Sequence, residues 1–166
     1  MSLMFARLPR PVLADLRRHR PGARALAWAE TEQGYVVALP GHLALGSGPE
    51  PRTWRLIGWH DIVRGGWDPD SGRLRWCDGE GEADQVELIR PGRLPLVFQD
   101  RVEATFALER RLGQGPEEIV LSAQRRLDDD QADLIWRITP LDPASLPPAR
   151  LAEAESLLER LRLSYD

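Results

Sequence analysis

The residue types able to do chemistry are few in this chain, and they are scattered. His60 and Asp61 are sequence neighbours, and an imidazole oriented by a carboxylate is the working part of a general base. The run around them, WRLIGWHDIVRGGW, reads as strand. Successive strand residues point to opposite faces, so the two are expected not to form an orienting hydrogen bond. His19 falls at the end of a short helical stretch and His42 in a turn after Pro40-Gly41. Neither has a serine or cysteine in a nucleophile setting such as GxSxG, so all three histidines are read as surface or structural groups. Cys77 is the single cysteine, which excludes an intrachain disulfide and fits a reducing, cytoplasmic setting; a buried, free thiol is the expectation.

Metal chemistry finds no better footing. Three dispersed histidines and one cysteine lack the paired spacings of zinc sites. Asp68 and Asp70 in DPDSG resemble the opening ligands of a calcium loop, but the glycine stands at the fifth place, Gly72, and the twelfth place is Gly79 rather than glutamate. The segment is therefore read as a hairpin turn. Asp128, Asp129 and Asp130 are read as a solvated acidic turn. No GxGxxG or GxxxxGK[ST] cradle occurs, which removes dinucleotide and P-loop chemistry, and no cofactor is expected.

All 22 basic residues are arginine, set against 26 acidic ones for a net charge of -4, and no block of five like charges occurs. Strong attraction to a nucleic-acid backbone or an anionic membrane surface has no source in such a balance. The conspicuous basic concentration is Arg110, Arg111, Arg125 and Arg126, which a hairpin would bring to one edge as a possible partner or anion contact. Six tryptophans, Trp28, Trp54, Trp59, Trp67, Trp76 and Trp136, all fall in expected strands. Burying one indole is worth at most about 4 to 6 kcal/mol, and a base-stacking platform would bring a basic groove with it, so the rings are assigned to the core.

The elements that must position these residues follow from periodicity. Residues 9–20 form a short amphipathic helix ending at Pro21-Gly22. ARALAWAE, YVVAL and HLALGS make three short strands, with a bend at Gly58 in the next. WDPDSGRLRW is a hairpin that brings Trp67 near Trp76, and QVELI is a further strand. RPGRLPLVFQDRV reads as a two-turn helix; Val102, Ala104, Phe106 and Leu108 then alternate with Glu103, Thr105, Ala107 and Glu109, which favours strand and opens a three-stranded meander over 103–140. A last helix follows, with Ser145 as N-cap and Leu151, Ala154, Leu158 and Leu161 along one side, expected to dock on a sheet. The N-terminal stretch MSLMFARLPRPVLADLRR interrupts any apolar run that a secretory signal would need, and no segment reaches the length of a membrane span.

With Trp59, Ile62, Trp67, Asp68, Leu74, Arg125, Arg126 and Trp136 in this order after two alternating strands, the chain resembles the bacterial pleckstrin homology-like (PH-like) proteins, in particular uncharacterised actinobacterial members. The resemblance covers about residues 23–140. It implies a strongly bent antiparallel sheet or half-barrel closed at one end by a helix, serving as a binding or assembly platform. Lipid-binding members of that superfamily use basic residues at the first hairpin, where this chain has Glu30 and Glu32, so phosphoinositide binding is not expected. A helix followed by strand, turn and strand also resembles flavin-binding split barrels, but the turn after Gly34 lacks their glycine-proline pattern and basic residues.

The reading is thus a mainly β, α+β chain. It has an N-terminal helical segment at 1–22, a PH-like β domain at 23–140 and a C-terminal helix at 141–166. It is expected to be non-enzymatic and to bind a protein or peptide, with self-association through a sheet edge as a further route; the flavin-dependent oxidoreductase or cofactor carrier is the alternative.

Overall fold

The computed structural model describes residues 7–165; residues 1–6, part of the stretch read as lacking a secretory signal, lie outside the described residues. The fold is mainly β, with three antiparallel sheets and three α-helices in an α+β arrangement. Helix α1 (Arg10–His19) leads into strands β1 (Ala27–Glu30), β2 (Gly34–Ala38), β3 (His42–Ser47) and β4 (Thr53–Gly58), which form one sheet in sequence order. A 3-10 turn at Trp59–Asp61 passes to β5 (Ile62–Asp68), β6 (Arg73–Asp78) and β7 (Ala83–Glu87), the second sheet. Helix α2 (Leu94–Thr105) follows. Strands β8 (Phe106–Leu112), β9 (Ile119–Gln124) and β10 (Ile135–Pro140) then make a meander, and helix α3 (Pro148–Tyr165) ends the described chain. The sheets stay separate and do not close into a barrel. Among the described residues one isolated bridge, Glu30 to Ile89, joins the edge of β1 to the chain beyond β7.

The sheet β1–β4 is covered on both faces, which explains why β2 reads as a continuous apolar run rather than an alternating one. On one face Val12 and Leu16 of α1 meet Val37, Ala44 and Trp54. On the other, Ala29, Val36 and Leu43 share a core with Trp59, Ile62, Leu74 and Trp76, and into this core α2 inserts Leu94, Phe98 and Val102. A third, smaller core lies between the meander and α3, built on Ile119, Leu121 and Ala154.

Phe98 explains Gly65, the first of the two adjacent glycines of β5. A Cβ on Gly65 would lie 2.7 Å from the Phe98 ring, so the missing side chain is the space the ring occupies. The ring stands edge-on to Trp59 at 5.7 Å and tilted to Trp76 at 6.3 Å.

Several sequence expectations need correction. Residues 102–105 are helical: Leu94, Phe98, Val102 and Thr105 are all buried at helical spacing, and that face outweighs the short alternation. The meander therefore starts at Phe106. Trp59 sits in the 3-10 turn, not in a strand; it is fully buried, Trp54 and Trp76 are nearly so, and the other three indoles are partly exposed. Of the partly exposed rings, Trp28 pairs with Tyr35 and Trp136 with Tyr165, while Trp67 packs against the central core. Trp67 stands opposite Leu74 and Trp76 opposite Gly65, so the two indoles share a face two places apart. Ser145 does not cap α3; it closes the preceding 3-10 turn, where its hydroxyl donates to Asp142 at 2.6 Å. Leu151 is exposed, and Leu157 joins Leu158 and Leu161 against the sheet. Cys77 is half-buried on β6 rather than enclosed.

Candidate functional site

Where β4 leaves the first sheet and the chain turns into the second, the two sheets diverge and leave a groove of about 690 Å³. Arg55, Leu56 and Ile57 of β4 form one wall, and Asp78 to Asp84 of the β6–β7 hairpin form the other. Asp61, Trp76 and Arg137 complete the lining. Strand β4 pairs along one side with β3, from Thr53 against Ser47 to Gly58 against His42. Among the described residues no strand pairs with its other side, so the backbone donors and acceptors of that edge face the groove.

The hairpin wall is shaped by its own carboxylate. Asp78 Oδ1 accepts from the backbone N–H groups of Glu80 and Glu82, both at 2.9 Å, and Gly81 takes the left-handed conformation (φ +87°) that the turn requires. This presents Glu80 and Glu82 to solvent. Across the groove Arg55 Nη1 donates to Asp84 Oδ2 at 2.7 Å, an exposed pair that staples β4 to β7.

Arg137 forms the inner end. Its Nη1 donates to the His60 carbonyl at 2.8 Å and to Gln124 Oε1, while Nη2 lies 3.8 Å from Asp61. Gly79 makes room for it: a Cβ there would stand 2.4 Å from Arg137 Nε. Burial lowers the guanidinium pKa, with Asp61 and then Asp78 opposing, and the group remains a cation. Gln124, wholly buried, also donates to the Ile62 carbonyl at 3.0 Å and to the Thr105 hydroxyl at 2.9 Å. The meander is thereby fastened to the 3-10 turn and to α2.

The histidines lie beside this junction. His60 and Asp61 are held in a 3-10 turn rather than a strand, which brings His60 Nε2 to 3.7 Å from Asp61 Oδ2, closer than strand geometry allows but outside hydrogen-bond range. His60 Nδ1 is buried without a hydrogen-bond partner, and its ring packs on Gly58. His42 faces Asp128 at 3.6 Å, and Arg126 grips the same carboxylate through Nε at 2.9 Å and Nη2 at 2.7 Å.

The four arginines singled out in the sequence are not gathered in one place. Arg110 and Arg111 stand opposite Leu121 and Val120, whereas Arg125 and Arg126 follow Gln124, which pairs with Phe106 at the far end of the β8–β9 hairpin. Arg111 binds Glu109 and Glu118 at 3.3 and 3.1 Å. Asp68 accepts from Asp70 N–H and from the Ser71 hydroxyl, which is the geometry of a hairpin turn. A shallower groove of about 700 Å³ crosses the outer face of β5–β7 over Gly66 and Cys77, flanked by Arg64 and Arg75.

No single stretch of sequence announces the groove, because its parts come from four separate segments. The usable signal was DGEGEAD: a hairpin turn carrying this many carboxylates builds a charged wall wherever a second edge faces it. Comparison of the chain with protein-family models, with curated proteins and with solved structures gives no match. The functional reading therefore rests on geometry.

Proposed function

We propose that this chain is a non-enzymatic binding module of PH-like architecture that takes a protein or peptide partner along an open sheet edge. The observation that carries the reading is the outer edge of β4, which runs unpaired beside a groove able to receive an extended chain. The element order supports the PH-like part: four antiparallel strands, then three, then a helix whose Phe98 fills the space between the two sheets. The chemistry of the groove supports recognition over catalysis. Its lining holds carboxylates and guanidiniums but no hydroxyl, thiol or imidazole, and His42 nearby faces Asp128 as a strut between the first sheet and the meander. An acidic wall also disfavours phosphoinositide headgroups and nucleic acid.

The reading is tested by selecting binders from a displayed random-peptide library and following the backbone amide resonances of the chain as the resynthesised peptides are added. Shifts concentrated at Arg55, Leu56 and Ile57 are expected. Binders that leave β4 unchanged and instead perturb α3 or the outer face of β5–β7 would refute it.

A further inference from the structure

Resting on that reading, we propose that the segment docking along β4 is an extended chain with arginine or lysine at alternate positions. The edge of β4 supplies main-chain pairing, which selects an extended conformation but no sequence. Side chains of an added strand alternate, so every second one would project toward the β6–β7 wall. That wall decides their chemistry. Five carboxylates line the groove against two guanidiniums, and neither guanidinium is available to the tip of the wall. Arg137 is half-buried and committed to the His60 carbonyl, Gln124 and Asp61. Arg55 is committed to Asp84. No basic group among the described residues lies within 4.0 Å of a carboxylate oxygen of Glu80 or Glu82, which stand exposed at the mouth.

The Arg55–Asp84 pair shows the contact the occupant would make: a guanidinium rooted on the β4 side crosses the gap and meets a β7 carboxylate at 2.7 Å. Being exposed, that pair contributes little to stability, and it marks the span that an incoming cation has to bridge. A free metal ion fits the groove less well, since among the described residues no three acidic, histidine or cysteine side chains converge on one point.

The full chain is titrated by fluorescence anisotropy with three ten-residue peptides, alternating Arg-Thr, Gln-Thr and Glu-Thr. The Arg-Thr peptide is expected to bind tightest, to weaken as salt is raised, and to lose affinity about tenfold in an E80Q/E82Q variant. Both substitutions lie in an exposed turn, and circular dichroism verifies the fold. N-methylation of alternate peptide amides is expected to abolish binding, because it removes the donors that pair with β4. Equal binding of Arg-Thr and Gln-Thr peptides, with shifts still on β4, overturns the basic specificity while leaving edge recognition standing. Failure of every peptide to shift β4 overturns both.

Discussion

Nε2 of His42, at the start of β3, lies 3.6 Å from the carboxylate of Asp128 in the loop after β9, so one imidazole joins the first sheet to the meander. Its side chain is 15% exposed. Burial is the largest influence and lowers its pKa below 6.5; Asp128 opposes, and Arg20, His60 and Arg126 push it lower again. The sign of the consequence follows from linkage. The unfolded chain takes up the proton first, so stability is fully present above about 6.5 and falls as the pH drops from there toward the depressed native value. The urea midpoint should therefore decrease between pH 7 and pH 5.5, and by less in H42Q. A His42 ring-proton resonance titrating above 6.5 in the native chain would contradict this account.

Asp128 titrates in a different window. The Arg126 fork holds its pKa down to about 2 despite partial burial, against 3.8 unfolded. This contribution is present above 3.8 and is lost as the pH falls through 2. Arg126 is 40% exposed, so solvent screening reduces the effect, and D128N is expected to cost about 1 to 2 kcal/mol at pH 7 and little near pH 2. Urea unfolding at the two pH values measures the difference. In the same variant the His42 midpoint should fall further, because the one charge that raises it has gone.

The adjacent glycines of β5 offer a contrast within one strand. A Cβ on Gly65 would meet the Phe98 ring at 2.7 Å and the Arg75 carbonyl oxygen at 2.9 Å, whereas one on Gly66 would meet nothing within 4 Å. G65A should therefore cost about 1 to 3 kcal/mol by displacing the central aromatic ring. G66A should be neutral or stabilising by about half a kcal/mol, because it restricts only the unfolded chain. Thermal unfolding of the two variants side by side decides it; equal shifts would mean that Phe98 is not seated against β5.

How much of this was legible in the sequence depends on how local each feature is. The strand HLALGS and the helix after Pro9 are set by periodicity and breakers, and they appear at the expected residues. The end of helix α2 is ambiguous in the sequence because Val102 to Thr105 satisfies both periods, and only the pocket formed by Trp59 and Trp76 decides for the helix. Strand geometry would separate His60 from Asp61, but Gly58, whose missing side chain admits the His60 ring, precedes a turn. The groove was not legible, since Arg137 reaches it from 76 residues beyond Asp61 and no pattern in either segment announces the other.

Gln124 and Arg137 provide the sharpest test of how the meander is held. The amide of Gln124 is fully buried and serves two acceptors and one donor: the Ile62 carbonyl, the Thr105 hydroxyl and the Arg137 guanidinium. Replacing it by leucine removes the side-chain donor from the Ile62 carbonyl and leaves the guanidinium with one protein acceptor fewer, at a cost of about 2 to 4 kcal/mol. R137M alone leaves Gln124 Oε1 and the His60 carbonyl without that donor. In Q124L/R137M the shared bond is already absent, so its loss is counted once, and the double variant should be more stable than the sum of the single losses implies by about 1 kcal/mol or more. Denaturant unfolding of the four proteins closes the cycle. Strict additivity would show that the two side chains act independently and that the meander is held by its apolar contacts alone.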